Sequence, residues 1–477
     1  MANPAQLFRT LPDASLFGFP PANAPVPISP MAVPASIMRP FNIPDHIFVA
    51  ALDYTVPLTI ATLYAVTIKS LNVYNKSRNK KPWAISKTRP FFAFVVLHNI
   101  FLAVYSAWTF WGMVGTMRRS ILSPMGPAGF VGTVDSFCRL HGSSGPGNSI
   151  YYDEASSSFL SAVGGAPIVD GIPSRTEMGR MWNEGLAYYG WIFYLSKFYE
   201  VLDTFIILAK GKLSSTLQTY HHAGAMLSMW AGMRYMSAPI WMFVLVNSFI
   251  HALMYFYYTL TAFSVRVPTP IKRTLTSMQI TQFLVGASNA MVHSFVAYTT
   301  PVTLTRTNPV AGGEPAPPSD SIIPTVAANA IESLKMYIFG AAETAIPGAE
   351  PVAEPSHVEM MASTETRYLT QPCIATTGET FAIWLNVLYL APLTYLFVSF
   401  FIASYVKRSN AATKISGKKV PPSVNDNVAL AEKAGWDAAK GIEKEVYGGE
   451  SMINGSSDEA SAAPTPKKAN GKTRRKA

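Results

Sequence analysis

Apolar residues gather along this chain in stretches of about twenty, parted by polar connections, at 47–68, 91–115, 185–209, 217–236, 239–262, 275–299 and 381–406. A helix needs about 20 residues to cross a hydrocarbon core of about 30 Å. The pattern therefore predicts an all-α membrane protein of seven transmembrane helices. The fourth stretch is the shortest and least apolar, because it opens on Gln218, His221 and His222. Ionisable side chains within a span are rare, face the protein interior and mark functional sites. Outside the spans, residues 1–45 hold ten prolines, and residues 410–477 carry Ser, Ala, Gly and charges of both signs without apolar periodicity. Both read as disordered tails. Between them lies a domain over 46–409, in which 300–380, rich in Pro, Ala, Gly, Glu and Ser, reads as an insertion with no chemistry of its own. Residues 1–45 lack a basic start followed by an apolar run, so the first span is expected to serve as its own insertion signal.

Composition supports the membrane class: of 477 residues, 49% are hydrophobic and only 14% charged, about half the charge of an average soluble domain. The net charge of +10 could suggest nucleic acid, but the basic residues sit between spans and in the tail rather than on one amphipathic face. Orientation explains them. The first connection carries Lys69, Lys76, Arg78, Lys80, Lys81, Lys87 and Arg89 with no acidic residue, which marks it as cytosolic. Lys210, Lys212, Arg266, Lys272 and Arg273 then fall on the same side, the N-terminus is lumenal, and the tail beginning Lys407-Arg408 is cytosolic. The connections 116–184 and 300–380 face the other way, and each holds one of the two cysteines, Cys138 and Cys373. An oxidising compartment permits a bridge between them, with two free loop thiols as the alternative.

Four consecutive spans each carry a polar stripe. In the third, Lys197, Glu200, Asp203 and Thr204 stand at i, i+3, i+6 and i+7 and share one helical face; a purely structural ion network would also account for them. In the fourth, Gln218 stands three and four residues before His221 and His222, so all three can turn to one cavity. The fifth carries Asn247, His251, Tyr255 and Tyr258 in one stripe, the sixth Thr276, Gln279 and Gln282. Tyr257 and Tyr258 also suit an interfacial belt, and Thr276 suits glue between helices. The stripes run from mid-membrane toward the cytosolic end, which predicts a buried polar chamber open to the cytosol.

Three chemistries compete for that chamber. A di-iron centre of the kind that desaturates lipids needs about eight imidazoles, whereas this chain has eight histidines in all and only His98, His221, His222 and His251 could meet. One metal would be conceivable, an iron pair not. A seven-span receptor would not concentrate titratable groups at the cytosolic end. A transporter of lipid or solute, with the stripes as its path, remains open.

In order, the residues read Lys-x-x-Glu-x-x-Asp-Thr, then His-His, then Asn-x-x-x-His-x-x-Met-Tyr-x-Tyr-Tyr, then Thr-x-x-Gln-x-x-Gln-Phe, over about 48–406 without the insertion. That succession resembles the ELO family of fatty-acid elongases. The resemblance implies seven helices, six of them around a closed acyl tunnel, and an acyltransferase of the endoplasmic reticulum membrane, a very-long-chain 3-oxoacyl-CoA synthase. Such an enzyme condenses malonyl-CoA with a long-chain acyl-CoA and works with separate reductases and a dehydratase. The family's box is His-x-x-His-His, and here Gln218 holds its first position, which resembles fungal or protist-like variants and elongases acting on polyunsaturated chains.

The residues themselves favour the same chemistry, because the chain has no cysteine on the cytosolic side or within a span to carry an acyl group. A neutral imidazole can replace it through an acyl-imidazole intermediate, and by resemblance His221 is the expected nucleophile. His222 and His251 would orient it or move protons, and Asn247 and Gln218 would donate hydrogen bonds to the thioester oxygen. Lys197, Glu200, Asp203, Thr204, Tyr255, Tyr258, Gln279 and Gln282 form the supporting network. Lys210, Lys212, Lys272 and Arg273 are candidate partners of CoA phosphates, membrane topology being the plainer explanation of their charge. Decarboxylation of malonyl-CoA supplies the carbanion, so neither metal nor organic cofactor is expected. Partners are then the two CoA substrates, membrane lipid and the other cycle enzymes, with a homo-oligomer possible. The C-terminal Arg474-Arg475-Lys476-Ala477 resembles a basic retrieval signal to the reticulum.

Overall fold

A computed structural model describes residues 6–21, 23–161, 167–309 and 360–402. Its helices are α1 (Asp45–Ala51), α2 (Thr55–Ser77), α3 (Arg89–Ser120), α4 (Gly129–Cys138), α5 (Ala187–Tyr199), α6 (Val201–Ala209), α7 (Thr216–Arg234), α8 (Ile240–Ala262), α9 (Thr269–His293) and α10 (Thr377–Phe401). Local chemistry sets several starts. The Thr88 hydroxyl accepts from the Phe91 amide with Pro90 in the first turn of α3, Ser215 accepts from the Gln218 amide, and Thr376 and Glu379 form a reciprocal capping box on α10.

Of the described helices, α2, α3, α8 and α10 are both long enough and apolar enough to cross a membrane. Their outward faces carry exposed large apolar residues such as Leu63, Val66, Leu97, Val104, Trp111, Phe256 and Leu388. In water such a surface would drive aggregation; in lipid it is solvated. The third predicted stretch is two helices, because the backbone flattens at Glu200 (φ −60°, ψ −14°) between α5 and α6. The helices form a closed ring in which α3 packs on α8, α8 on α9, α9 on α10, α10 on α7, α7 on α5 and α5 back on α3, with α2 outside against α6 and α7. One turn of α8, Phe243–Asn247, is π-helical, a widening that commonly accompanies functional sites.

The chain is not all-α. Short strands β1 (Leu7–Arg9), β2 (His141–Gly142), β3 (Ser149–Asp153), β4 (Ser158–Ser161), β5 (Ile168–Val169) and β6 (Ile172–Pro173) join β7 (Val296–Pro309) and β8 (Met360–Pro372) in three small antiparallel sheets. The expected insertion, 300–380, thus begins inside β7 and takes in β8, whose pairing starts with Ala297 and Pro372, and its last residues already belong to α10. The sixth stretch gives way to β7 at Val296 because Val-x-Tyr-Thr-Thr at its end is β-branched and aromatic. Residues 310–359 and the C-terminal tail lie outside the described residues. A disulfide joins Cys138, at the end of α4, to Cys373, just after β8. Beside it the Arg139 guanidinium donates to the carbonyls of Pro372 and Cys373.

The proline-rich N-terminal segment, expected to be disordered, is ordered over most of its length. Prolines remove backbone donors but leave every carbonyl in need of one, and the helices supply them. Trp182 Nε1 donates to the Ile28 carbonyl at 2.8 Å, Tyr189 to Met38 at 2.8 Å, Trp108 to Ile37 at 2.9 Å and Arg234 to Pro25 at 2.7 Å. Trp191, Tyr194 and Trp230 do the same for Phe48, Ala51 and Leu52 just beyond. Ile28, Ile43 and Phe48 are buried in the main core with Met181, Trp182, Tyr194 and Met233. The strap closes the disulfide-bearing end of the ring, and the chemistry-bearing residues lie at the other.

Candidate functional site

A cavity of about 530 Å³ enters the helix ring from the end where α6 gives way to α7. Asp203, Gln218, His221, His222, His251, Tyr255, Tyr258, Gln279 and Gln282 line it, together with Lys87, Lys210 and Lys212, and much of the remaining wall is apolar, from Phe91, Phe92, Val95, Ile206, Ile207, Leu275, Phe397 and Phe400. A second, apolar space of about 60 Å³ continues from it toward the strap, lined by Phe193, Ala225, Met229, Met242, Phe243 and Leu390. His221, Gln282 and Phe283 belong to both walls. The imidazole of His221 therefore stands where the wide cavity, with its titratable and amide groups, meets a narrow apolar extension.

The stripe of the third stretch splits into two clusters. In the first, Lys197 Nζ donates to Glu200 Oε1 at 2.7 Å and to Asn247 Oδ1 at 3.2 Å, with the Ser196 hydroxyl on the same carboxylate oxygen at 3.0 Å. The Asn247 amide reaches Gln282 Oε1 only at 3.4 Å, close to the limit of a hydrogen bond. His251 Nδ1 lies 3.7 Å from Glu200 Oε1 and is buried without a hydrogen-bond partner among the described residues, an arrangement expensive to leave unsatisfied. In the second cluster, Asp203 accepts the Tyr255 hydroxyl on one oxygen and meets His98 Nε2 at 2.8 Å on the other, while His98 Nδ1 lies 3.3 Å from the Tyr199 hydroxyl. Thr204, expected on the same face, instead pairs with the Tyr64 hydroxyl on α2 at 2.9 Å.

On α7 the Gln218 amide nitrogen lies 2.8 Å from His222 Nε2, so the residue in the first box position supports His222. His221 Nδ1 faces the Tyr389 hydroxyl of α10 at 3.1 Å, and that hydroxyl donates to the His221 carbonyl at 2.9 Å. Among the described residues no three His, Cys, Asp or Glu side chains converge to hold a metal ion.

Of the expected CoA contacts, Lys210 and Lys212 line the mouth, and burial pushes the Lys210 ammonium below its ordinary range, which an anionic partner would reverse. Lys272 and Arg273 are not among the lining residues and lie over the rings of Tyr257 and Phe401 at 5.9 and 5.7 Å. Gln279 lines the cavity and donates to Met254 Sδ at 3.3 Å; Tyr258 packs edge-on to Tyr255. Lys87, whose charge in the sequence speaks only to orientation, and Tyr389, in an apolar stretch with no motif around it, join the site only in three dimensions. His98, one of the four histidines expected to be able to meet, instead pairs with Asp203.

Residues 49–413 match the model of the ELO family, described as GNS1/SUR4. Among curated relatives, fatty acid elongase 2 of Trypanosoma brucei brucei is 30% identical over 123 residues, 26% of this chain and 45% of that protein. Fatty acid elongase A of Dictyostelium discoideum is 34% identical over 114 residues (24% and 41%), and very long chain fatty acid elongase 3 of Homo sapiens 34% over 105 residues (22% and 39%). The matched stretches span less than half the length of each of these relatives. No solved structure matches this chain.

Proposed function

The chain belongs to the ELO family, and from that premise we propose that it is a membrane-embedded fatty-acid elongase catalysing the condensing step, with His221 as acyl carrier. The observation that carries this reading is the position of His221 between the wide cavity, which gathers the titratable and amide groups, and its narrow apolar extension. A thioester lying there would have its CoA part in the wide mouth and its acyl chain among Met229, Met242 and Phe243. Unbranched methionines adapt their shape readily, which suits a chain that must slide in.

In this mechanism the lone pair of His221 Nε2 attacks the acyl carbon, the carbon–sulfur bond breaks, and CoA leaves as a thiolate that takes up a proton. The Asn247 amide, held at its oxygen by Lys197, donates to the developing oxyanion. Malonyl-CoA then loses carbon dioxide, its enolate carbon attacks the acyl-imidazole, and Nε2 departs with its electron pair. The net change consumes one proton and yields a 3-ketoacyl-CoA two carbons longer, CoA and carbon dioxide. His251, buried with an unpartnered nitrogen facing Glu200, is suited to receive a polar group of the malonyl substrate. Lys87, Lys210 and Lys212 are assigned to CoA phosphates. The wider frame is seven spans with six helices around the acyl path, an N-terminus in the lumen of the endoplasmic reticulum, and a cavity mouth on the cytosolic side. Separate reductases and a dehydratase would complete the cycle.

The test supplies membranes containing the protein with labelled malonyl-CoA and a panel of saturated and polyunsaturated acyl-CoAs. Label should enter a ketoacyl product, and His221→Ala should abolish incorporation. Incorporation surviving that substitution refutes the carrier assignment. Absence of incorporation with every acyl-CoA, or label crossing a sealed vesicle uncondensed, refutes the condensing reading and favours transport.

A further inference from the structure

Tyr389 lies on the last helix, outside every motif that pointed to the site, yet it makes two contacts with one residue of α7. Its hydroxyl is 2.9 Å from the His221 carbonyl oxygen and 3.1 Å from His221 Nδ1. A phenol has one proton. A carbonyl only accepts, so the proton goes to it, and the phenol oxygen can then only accept from the ring. Nδ1 must carry hydrogen, which leaves Nε2 as the unprotonated nitrogen.

We propose that Tyr389 is a positioning residue that fixes His221 in the Nδ1–H tautomer and so presents the Nε2 lone pair to the acyl thioester. The contact is built from several directions. The Tyr220 hydroxyl donates to the Tyr389 carbonyl at 3.2 Å, and the two rings pack with centroids 5.6 Å apart. Gly224, one turn after His221, leaves the space that the Tyr389 ring fills; a methyl group there would overlap the ring. The sequence His-His-x-Gly thus provides a nucleophile and, on the next turn, room for the group that orients it. The orientation serves both half-reactions. When Nε2 bonds to the acyl carbon and the thiolate departs, the ring is an imidazolium whose Nδ1–H remains held by the phenol oxygen. When the enolate takes the acyl group, the electron pair returns to Nε2 and the starting tautomer is restored.

This inference rests on the acyl-imidazole reading, and its test separates the two. In the full-length protein with ¹⁵N-labelled histidine, His221 is assigned by its loss in His221→Ala. It should show a protonated Nδ1 and an unprotonated Nε2 at neutral pH. The reverse pattern, or a rapid tautomer average, overturns the tautomer assignment whether or not an acyl-enzyme exists. Tyr389→Phe keeps the ring and removes the hydroxyl. The rate of acyl-enzyme formation at saturating acyl-CoA should fall about tenfold, the upper range for one neutral hydrogen bond, while the acyl-CoA KM and the unfolding temperature stay near wild type. An unchanged rate overturns the positioning role and leaves the carrier reading intact. A wild-type protein that forms no acyl-enzyme overturns the carrier reading instead. If Tyr389→Phe does not fold, the histidine spectrum of the wild-type protein still decides the tautomer.

Discussion

His141, well away from the cavity, gives the clearest pH signature of a single residue. It is buried against Trp182 and Phe159, neither ring nitrogen has a hydrogen-bond partner among the described residues, and burial lowers its pKa to about 3. An unfolded chain takes up this proton near pH 6.5. The folded form resists it, so the contribution is complete above about pH 6.5 and is lost as pH falls from there toward 3. By pH 5 the loss is about 2 kcal/mol, seen as a drop in unfolding temperature between pH 7 and 5 that His141→Phe should largely remove. Within the site, Gln218→Ala removes the amide donor to His222. A neutral hydrogen bond of about 1 kcal/mol predicts roughly a fivefold fall in turnover. Gln218→His, which keeps a donor, should stay nearer wild type. Equal loss in both variants would mean that the box position tolerates only the amide.

At the level of elements, the disulfide ties α4 to the segment leading into α10, far from the cavity mouth. It closes a separation of 235 residues, so it chiefly restricts the unfolded chain. Cys373→Ser should cost roughly 2–4 kcal/mol, measured as a lower unfolding temperature, while turnover at low temperature stays unchanged. Unaltered unfolding would show that the strap and sheets hold that end alone. The helical elements were legible because apolar length and polar stripes at helical spacing are local properties: α3, α8 and α10 stand within a few residues of the apolar stretches that predicted them, whereas the first stretch, 47–68, is split between α1 and α2, and α2 runs on to Ser77 through Lys69 and Lys76. The break at Glu200 was not legible, since Lys197, Glu200 and Asp203 keep helical spacing across it, nor was the pairing of Thr204 with Tyr64, which depends on where α2 packs. The β7–β8 ladder was hidden for a different reason: its strands are separated by a long polar segment, and pairing across such a distance leaves little trace in either strand.

Across the whole molecule, the N-terminal segment shows how composition misleads when donors come from elsewhere. Its prolines argued for disorder, but Trp108, Trp182, Tyr189 and Arg234 receive its carbonyls from helices far along the chain. The site was legible to a similar depth. The histidine pair, Asn247, His251 and the glutamines were visible as stripes, whereas Tyr389 became visible only when α10 closed the ring against α7. The two ends of the molecule then divide the work: the strap, sheets and disulfide brace one, and the other holds a chamber of mixed polar and apolar lining that narrows into apolar space at His221. The most direct measurement is to incubate the purified full-length protein with acyl-CoA alone, without malonyl-CoA, and to map the adduct by peptide mass spectrometry. With His221 as acyl carrier, one acyl group per chain is expected on its imidazole, released as ketoacyl-CoA when malonyl-CoA is added. An adduct on another residue, or condensation that proceeds with no adduct forming, would contradict it.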